Sequence, residues 1–491
     1  MAFKDKTVGA MLWSMSGAAG VQILGLIFSL WLANLIDPIV FGIFAIPSIV
    51  ARFSKEAIDV GLGAAIVQSD EINDGLLSTI FWLNLMLSIV LALIVFFGAP
   101  YFALYTGEDT QIVYRLLAPV FIITGITLTQ RAILLKALNF KRIAIADFSS
   151  TAIGGLLAIY LAYQSPDVFA LIARFAAIAI VTSLIFWIST SWRPRLAWEN
   201  EGLRNVLSFS LPVFATKSIK FLANYFDELM FPKFVNQELL GSYNRSRVFV
   251  SIPSRVIRDQ IASVLFPAFS TIKSDVNRMS DIYGKAISAV AVFGLVPLSL
   301  IILLAPEAIP VFLNEKWLSM IPIAQAMALM MAPNFLSFFS PVLLSRGKSR
   351  LDFKVRMVVL LIRVISILLG LYFGGLPGLL LSLIIFGWIA HLIYLYVIGL
   401  ELEKGVWWQL RLELPGWIIQ ALSLCTAWVI AVYIFEGLPM FWVMLIKLAL
   451  FISVFIAMLL IFKPRGFMIG RRLAKEYHYK FGPLGRFLKK L

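Results

Sequence analysis

Thiol and imidazole chemistry is almost missing from this 491-residue chain, which holds one cysteine, Cys425, and two histidines, His391 and His478. A single thiol excludes an intrachain disulfide framework and a thiolate metal site. Two histidines are too few for a histidine-built metal centre. Charge is scarce as well, at 14% of residues. Long polar loops are also lacking: the longest on one side of the apolar runs, 99–111 and 305–316, are too short to fold into a domain.

Apolar residues fill the space left, at 60% of the chain, with a mean hydropathy of +0.91. A water-soluble fold of this length has no way to hide that much apolar surface, so most of it faces lipid or other spans. Helix-length apolar runs recur from 8–36 to 440–462 and predict an all-α integral membrane protein with 14 transmembrane helices. The segment before the first run leads into a stretch longer than a signal-peptide core and is read as a retained span. The net charge of +15 would suggest nucleic acid in a soluble protein. In a membrane protein it reflects basic residues gathered in cytoplasmic loops, so no nucleic-acid partner is expected. Lys4, Lys6, Lys136, Arg142, Arg193, Arg346, Lys348, Lys404 and the basic tail after Phe462 fall on one side, against only Lys233 and Lys316 on the other. Both termini are therefore expected in the cytoplasm.

A faint repeat is visible. Asp37-Pro38-x-x-Phe41-Gly42-x-Phe44 joins the first two spans, and Asn236-x-x-x-Leu240-Gly241-x-Tyr243 joins the seventh and eighth, at a constant offset of 199 residues. An even number of spans per repeat makes the two units parallel. The expected organisation is a six-helix lobe over 1–192, a cytoplasmic linker over 193–205, a second six-helix lobe over 206–400 and helices 13 and 14 over 401–462. The tail over 463–491 alternates basic and apolar residues, as a segment lying on anionic lipid does.

The chemistry is expected in the second span (39–67), the seventh (206–231) and the eighth (239–269). The second carries Arg52, Lys55, Glu56 and Asp59, and the seventh carries Lys217, Lys220, Asp227 and Glu228. At helical spacing each set falls in a stripe about 100° wide. Arg247, Arg255 and Arg258 share a face of the eighth, with Asp259 at its margin and Arg245 further round. A basic residue at mid-bilayer costs about 2.5–3.5 kcal/mol on the insertion scale. These eight would cost on the order of 20–28 kcal/mol, more than a typical fold's margin of about 5–15 kcal/mol. They must meet water, carboxylates or an anionic substrate. Internal neutralisation is one reading, with Lys55–Asp59 and Arg255–Asp259 as i,i+4 pairs. The other is a hydrated cationic cavity that holds phosphate oxygens, because basic side chains outnumber the five carboxylates. Arg174, Arg356, Arg363 and Lys447 are scattered singly and read as snorkelling or locally paired. His391 reads as a packed, hydrogen-bonded core histidine.

At these residues the chain resembles Wzx-type polysaccharide exporters of the multidrug/oligosaccharidyl-lipid/polysaccharide superfamily, in the colanic-acid exporter branch. The resemblance is carried by Ile36-Asp37-x-x-x-Phe41-Gly42, Asp59-x-Gly61-Leu62-x-x-Ala65-Ile66-Val67-Gln68, Phe81-Trp82-Leu83-Asn84, Leu240-Gly241-Ser242-Tyr243-Asn244, Val264-Leu265-Phe266-Pro267, Glu315-Lys316-Trp317 and Asp352-Phe353-Lys354. It implies two six-helix lobes in a V, alternating access and a substrate of undecaprenyl-pyrophosphate bearing an oligosaccharide. Asp227 matches an acidic residue of that family's seventh span, and a basic residue is expected near Arg255. Substrate-binding candidates are Arg52, Lys55, Lys217, Lys220, Arg247, Arg255 and Arg258. Glu56, Asp59, Asp227 and Glu228 are candidates for H⁺ or Na⁺ coupling, with no other cofactor. The partners expected are membrane lipids and polysaccharide polymerase machinery, around a monomer in a bacterial inner membrane. Rival readings are a lipid II or multidrug exporter of the same superfamily, and a membrane glycosyltransferase or polymerase. The last needs catalytic groups on a sizeable outer loop.

Overall fold

A computed structural model describes residues 2–63, 66, 73–434 and 437–477. Among them the regular structure is helical. The first helices are α1 (Ala2–Leu35), α2 (Pro38–Asp59), α3 (Asp74–Thr106), α4 (Thr110–Lys136), α5 (Phe140–Gln164), α6 (Val168–Ser189) and α7 (Asn200–Met230). Then come α8 (Gln237–Pro253), α9 (Asp259–Thr271), α10 (Val276–Ala289), α11 (Val296–Leu313), α12 (Met320–Phe335) and α13 (Phe339–Ser345). The last are α14 (Ser349–Glu401), α15 (Val406–Ile434), α16 (Met440–Phe462) and α17 (Arg465–Tyr477).

Local chemistry sets several ends. Pro38 opens α2 at a position where its missing N–H costs nothing. The Asn73, Asp167 and Asn236 side chains accept from the Leu76, Phe169 and Leu239 amides at 2.7, 2.9 and 2.9 Å, satisfying donors a helix start leaves over.

Among the described residues, twelve helical segments are long and apolar enough to cross a membrane. One of them, α14, is two spans. At Gly375 the backbone turns to φ 56°, ψ −136°, and a β-carbon on Gly378 would lie 2.3 Å from the Gly370 carbonyl oxygen. Residues eight apart in a straight helix stand about 12 Å apart, so the chain folds back here. The stretch from Gln237 to Thr271 is helical too, through a π turn at Ser254–Arg258, but is too charged to rank among the apolar segments. With it the fourteen expected crossings are accounted for.

The chain forms two compact units, Met1–Asn244 and Arg245–Leu491. In the first, Ile58, Ala92, Val95, Tyr114, Leu117 and Phe121 build a core around α4. Residues 190–199 leave the helix and run along α3, where Trp82 Nε1 donates to the Arg195 carbonyl at 2.8 Å. In the second, Leu303, Ile419, Ala427, Phe451 and Phe455 join α11, α15 and α16. Large apolar side chains such as Ile188 and Leu104, each 83% exposed, are what lipid-facing positions require. Of the tail, α17 is described and sends Arg465 to Asp281 at 3.1 Å. Residues 478–491 lie outside the described residues, as do 64, 65 and 67–72, which take in part of the end of the expected second span.

Candidate functional site

In the first unit α2 and α7 meet at an aromatic joint. Phe53 and Phe221 have ring centroids 5.2 Å apart, and Phe221 in turn lies 4.6 Å from Tyr225. One turn away, Lys217 Nζ bridges Glu56 at 3.1 Å and Asp59 at 3.4 Å. A second Asp59 oxygen accepts from the Gly63 amide at 2.9 Å. The carboxylates of the α2 stripe are therefore engaged by a lysine from another helix rather than by Lys55 one turn earlier. Arg52 Nη1 donates to the Tyr225 hydroxyl at 3.4 Å.

Three further helices bring charge into this field. Arg131 of α4 pairs with Asp147 of α5 at 3.4 Å, and both act on the Lys55 ammonium along with Glu56 and Asp59. Arg174 of α6 lies in the field of Arg52. Within the described residues, Glu56, Asp59 and Asp147 are thus taken by Lys217 and Arg131, while Arg52, Lys55, Arg174 and Lys220 make no ion pair. Lys55, Arg52 and Lys220 are exposed. Exposed cations without an acid partner are able to bind an anion, and guanidinium groups are suited to phosphate oxygens.

Asp227 and Glu228 sit differently. They are 1% and 0% exposed. Asp227 accepts from the Tyr243 hydroxyl, and Glu228 accepts from Asn244 Nδ2 at 2.7 Å. These bonds cross from α7 to α8 within the first unit.

Of the predicted cations in the second unit, Arg258 Nη2 donates to the Ser337 carbonyl at 3.2 Å, and Arg247 is half-buried on α8. The Arg255 and Asp259 side chains lie outside the described residues. Arg255 and Arg258 belong to the π turn, so the 100° spacing used to align them with Arg247 does not carry through. The second unit also gathers Asp352, Arg356 and Ser340. Arg356 Nε meets Asp352 at 2.9 Å, and Ser340 bonds to both. Tyr394 lies in the field of this group together with Arg258 and Arg363.

Sequence reasoning missed Arg131 and Asp147 and read Arg174 and Arg356 as snorkelling or locally paired; Arg356 is locally paired, with Asp352 one turn earlier on the same helix. The Arg131–Asp147 pair joins two helices, so it is visible only across helices. His391 is the packed core histidine expected. Its partner, Glu413, had no signal in the sequence.

The sequence model of a family described as "Polysaccharide biosynthesis protein" matches residues 31–322. The chain is 26% identical to the teichuronic acid biosynthesis protein TuaB of Bacillus subtilis (strain 168), over 66% of this chain and 68% of that protein. It is 23% identical to the lipopolysaccharide biosynthesis protein WzxC of Escherichia coli (strain K12), over 78% and 79%. Among solved structures, the inward closed conformation of the lipid II flippase MurJ matches the fold with a TM-score of 0.73 at 17% identity, over 92% of this chain and 98% of that one.

Proposed function

Because the chain belongs to the polysaccharide biosynthesis protein family, we propose that it is a flippase for undecaprenyl-pyrophosphate-linked oligosaccharides. It carries them from the cytoplasmic to the outer leaflet of a bacterial inner membrane, for surface polysaccharide assembly. It is a transporter and not an enzyme. The loop charges support an orientation with both termini in the cytoplasm; in this reading the protein works as a monomer and hands its cargo to polymerase machinery.

One observation carries this reading: Arg52, Lys55, Arg174 and Lys220 stand in the first unit without an ion pair among the described residues, while the nearby acids are engaged by Lys217 and Arg131. The obstacle to flipping is electrostatic. A pyrophosphate head with sugars has to pass hydrocarbon, whereas its polyprenyl tail is at home there. Arg52 and Arg174 hold the pyrophosphate, Lys55 and Lys220 add point charges, and the tail stays in the bilayer. Arg247, Arg255 and Arg258 are assigned to the head in the second unit. Alternating access then moves the head without exposing it to lipid. Glu56, Asp59, Asp227 or Glu228 binds the coupling H⁺ or Na⁺, since carboxylates among cations change occupancy when their partners move.

The test is reconstitution into liposomes with a defined lipid-linked oligosaccharide, scoring the leaflet it occupies. Wild-type protein is expected to equilibrate the lipid, and Arg52→Ala or Arg174→Ala to lose this while inserting normally. Covalent turnover of the sugar, or equal flipping by both variants, would overturn the reading. The lipid II reading is favoured by fold alone, through the MurJ likeness. Rescue of cells lacking their lipid II flippase would select it.

A further inference from the structure

The turns that open α2 and α8 touch through their backbones. A β-carbon built on Gly42 would lie 1.7 Å from the Gln237 carbonyl oxygen, and one on Gly241 would lie 1.9 Å from the Pro38 carbonyl oxygen. Neither distance leaves room for any side chain. Under the 199-residue offset of the sequence repeat, Pro38 corresponds to Gln237 and Gly42 to Gly241. Each contact is therefore the image of the other: a glycine of one turn rests on the carbonyl of the first helical residue of the other. A self-complementary contact of this kind is what two like elements make across a two-fold axis.

Other residues hold this joint shut. Gln237 Nε2 donates to the Thr106 carbonyl at 3.3 Å, so one residue meets α2 with its backbone and the end of α3 with its side chain. Tyr105 donates to the Leu229 carbonyl at 2.7 Å, and Lys233 Nζ sits 5.8 Å from the Tyr105 ring centroid. Phe41 and Leu240, again equivalent positions, are 2% and 3% exposed and keep water out. Beside the joint lies a cavity of about 550 Å³ lined by Ile39, Tyr105, Gln237 and Glu238, among others. The contact at the two glycines is itself backbone on backbone, so no glycine side chain has to be withdrawn for the turns to part.

We propose that Gly42 and Gly241 form a latch, closed here, which parts when the protein changes conformation and whose closure depends on the absence of a β-carbon at either position. The repeat in the sequence is then a record of the latch, one half in each copy. What its opening releases rests on the flippase reading; the latch itself does not.

The experiment uses the full-length chain with Cys425→Ser, Ile39→Cys and Glu238→Cys, spin-labelled in nanodiscs. The labelled positions are equivalent under the repeat and border one cavity. The parent protein is expected to show a short-distance population. Gly42→Ala or Gly241→Ala should each lower its ratio to the long-distance population by about tenfold or more. Gly25→Ala is the control, because a β-carbon there meets nothing within 4 Å, and it should change nothing. A cleavable cross-link between the two cysteines should stop flipping in liposomes until it is cut. Folded glycine variants with the parent's distances, a parent with no short-distance population, or full flipping by the cross-linked protein would each overturn the latch. If the glycine variants do not fold, the cross-link arm decides. Glycine variants that shift the distances while the parent flips no lipid-linked oligosaccharide would uphold the latch and sink the flippase reading.

Discussion

His391 Nε2 and a carboxylate oxygen of Glu413 stand 2.9 Å apart, with the two side chains 0% and 1% exposed. The pair joins the second arm of α14 to α15. Gln409, one turn before Glu413, donates to the Leu395 carbonyl at 2.7 Å and accepts from Tyr283 of α10 at 3.2 Å. Three helices of the second unit are thus fastened by polar groups with no access to water. Removing one member leaves the other buried without its partner. His391→Ala or Glu413→Ala should each destabilise by about 3–5 kcal/mol, read as the denaturant midpoint in detergent. The double replacement by leucine should cost less than the two losses added together.

A second clasp lies between α11 and α16, where Lys447 Nζ meets Glu307 at 2.6 Å. The exposures are 4% and 12%. Lys447→Met should leave the Glu307 carboxyl without its buried partner and loosen α16 from the second unit. Proteolysis after Gly437 is expected to accelerate, while Lys447→Arg stays close to the parent.

Lys217 is a less costly partner to lose, because its ion pairs are about two-fifths exposed on the lysine side. A double-mutant cycle between Lys217→Met and Asp59→Asn should give a coupling of about 0.5–1 kcal/mol. The functional effect should be larger than the structural one. Freed from Lys217, Glu56 and Asp59 are left to neutralise Lys55, so Lys217→Met should cut export sharply, and Asp59→Asn added to it should restore part. Surface polysaccharide in complemented cells measures both.

Arg174 separates a binding role from a structural one. Arg174→Lys keeps the charge but loses the fork that grips two oxygens. Export should fall severalfold with Arg174→Lys and be lost with Arg174→Gln, at unchanged melting temperature. An unchanged transport rate in both would return Arg174 to a passive, snorkelling role.

Gly375 adopts φ 56° with ψ −136°, a region open to glycine and strained for any L-residue. Gly375→Ala should cost about 1–3 kcal/mol and splay the two arms of α14, reported by a label pair at Leu369 and Leu381.

Much of this was legible in the chain itself. The turn from α1 into α2 could be read because Pro38 and the glycine after Phe41 are local signals. So could the double span within α14, where Gly374, Gly375 and Pro377 interrupt an apolar run. The stripe on α2 was legible because helical spacing needs only one helix. What spacing could not give was the partner across the gap. Lys55 and Asp59 sit one turn apart and suggest a pair, yet Asp59 is bound by Lys217 from a helix more than 150 positions later. Arg131 and Asp147, 16 positions apart on two helices, went unpaired in the sequence for the same reason.

By itself, the sequence determined that this chain lies in a membrane, how often it crosses, and that its basic side chains need water or anions. Those follow from transfer free energies, which depend on composition and length. Only the tertiary structure decided which carboxylates are already occupied, which cations remain, and that two glycines 199 residues apart touch. Contacts of that kind depend on how helices cross, and a crossing is a property of two surfaces together that neither helix's sequence carries alone.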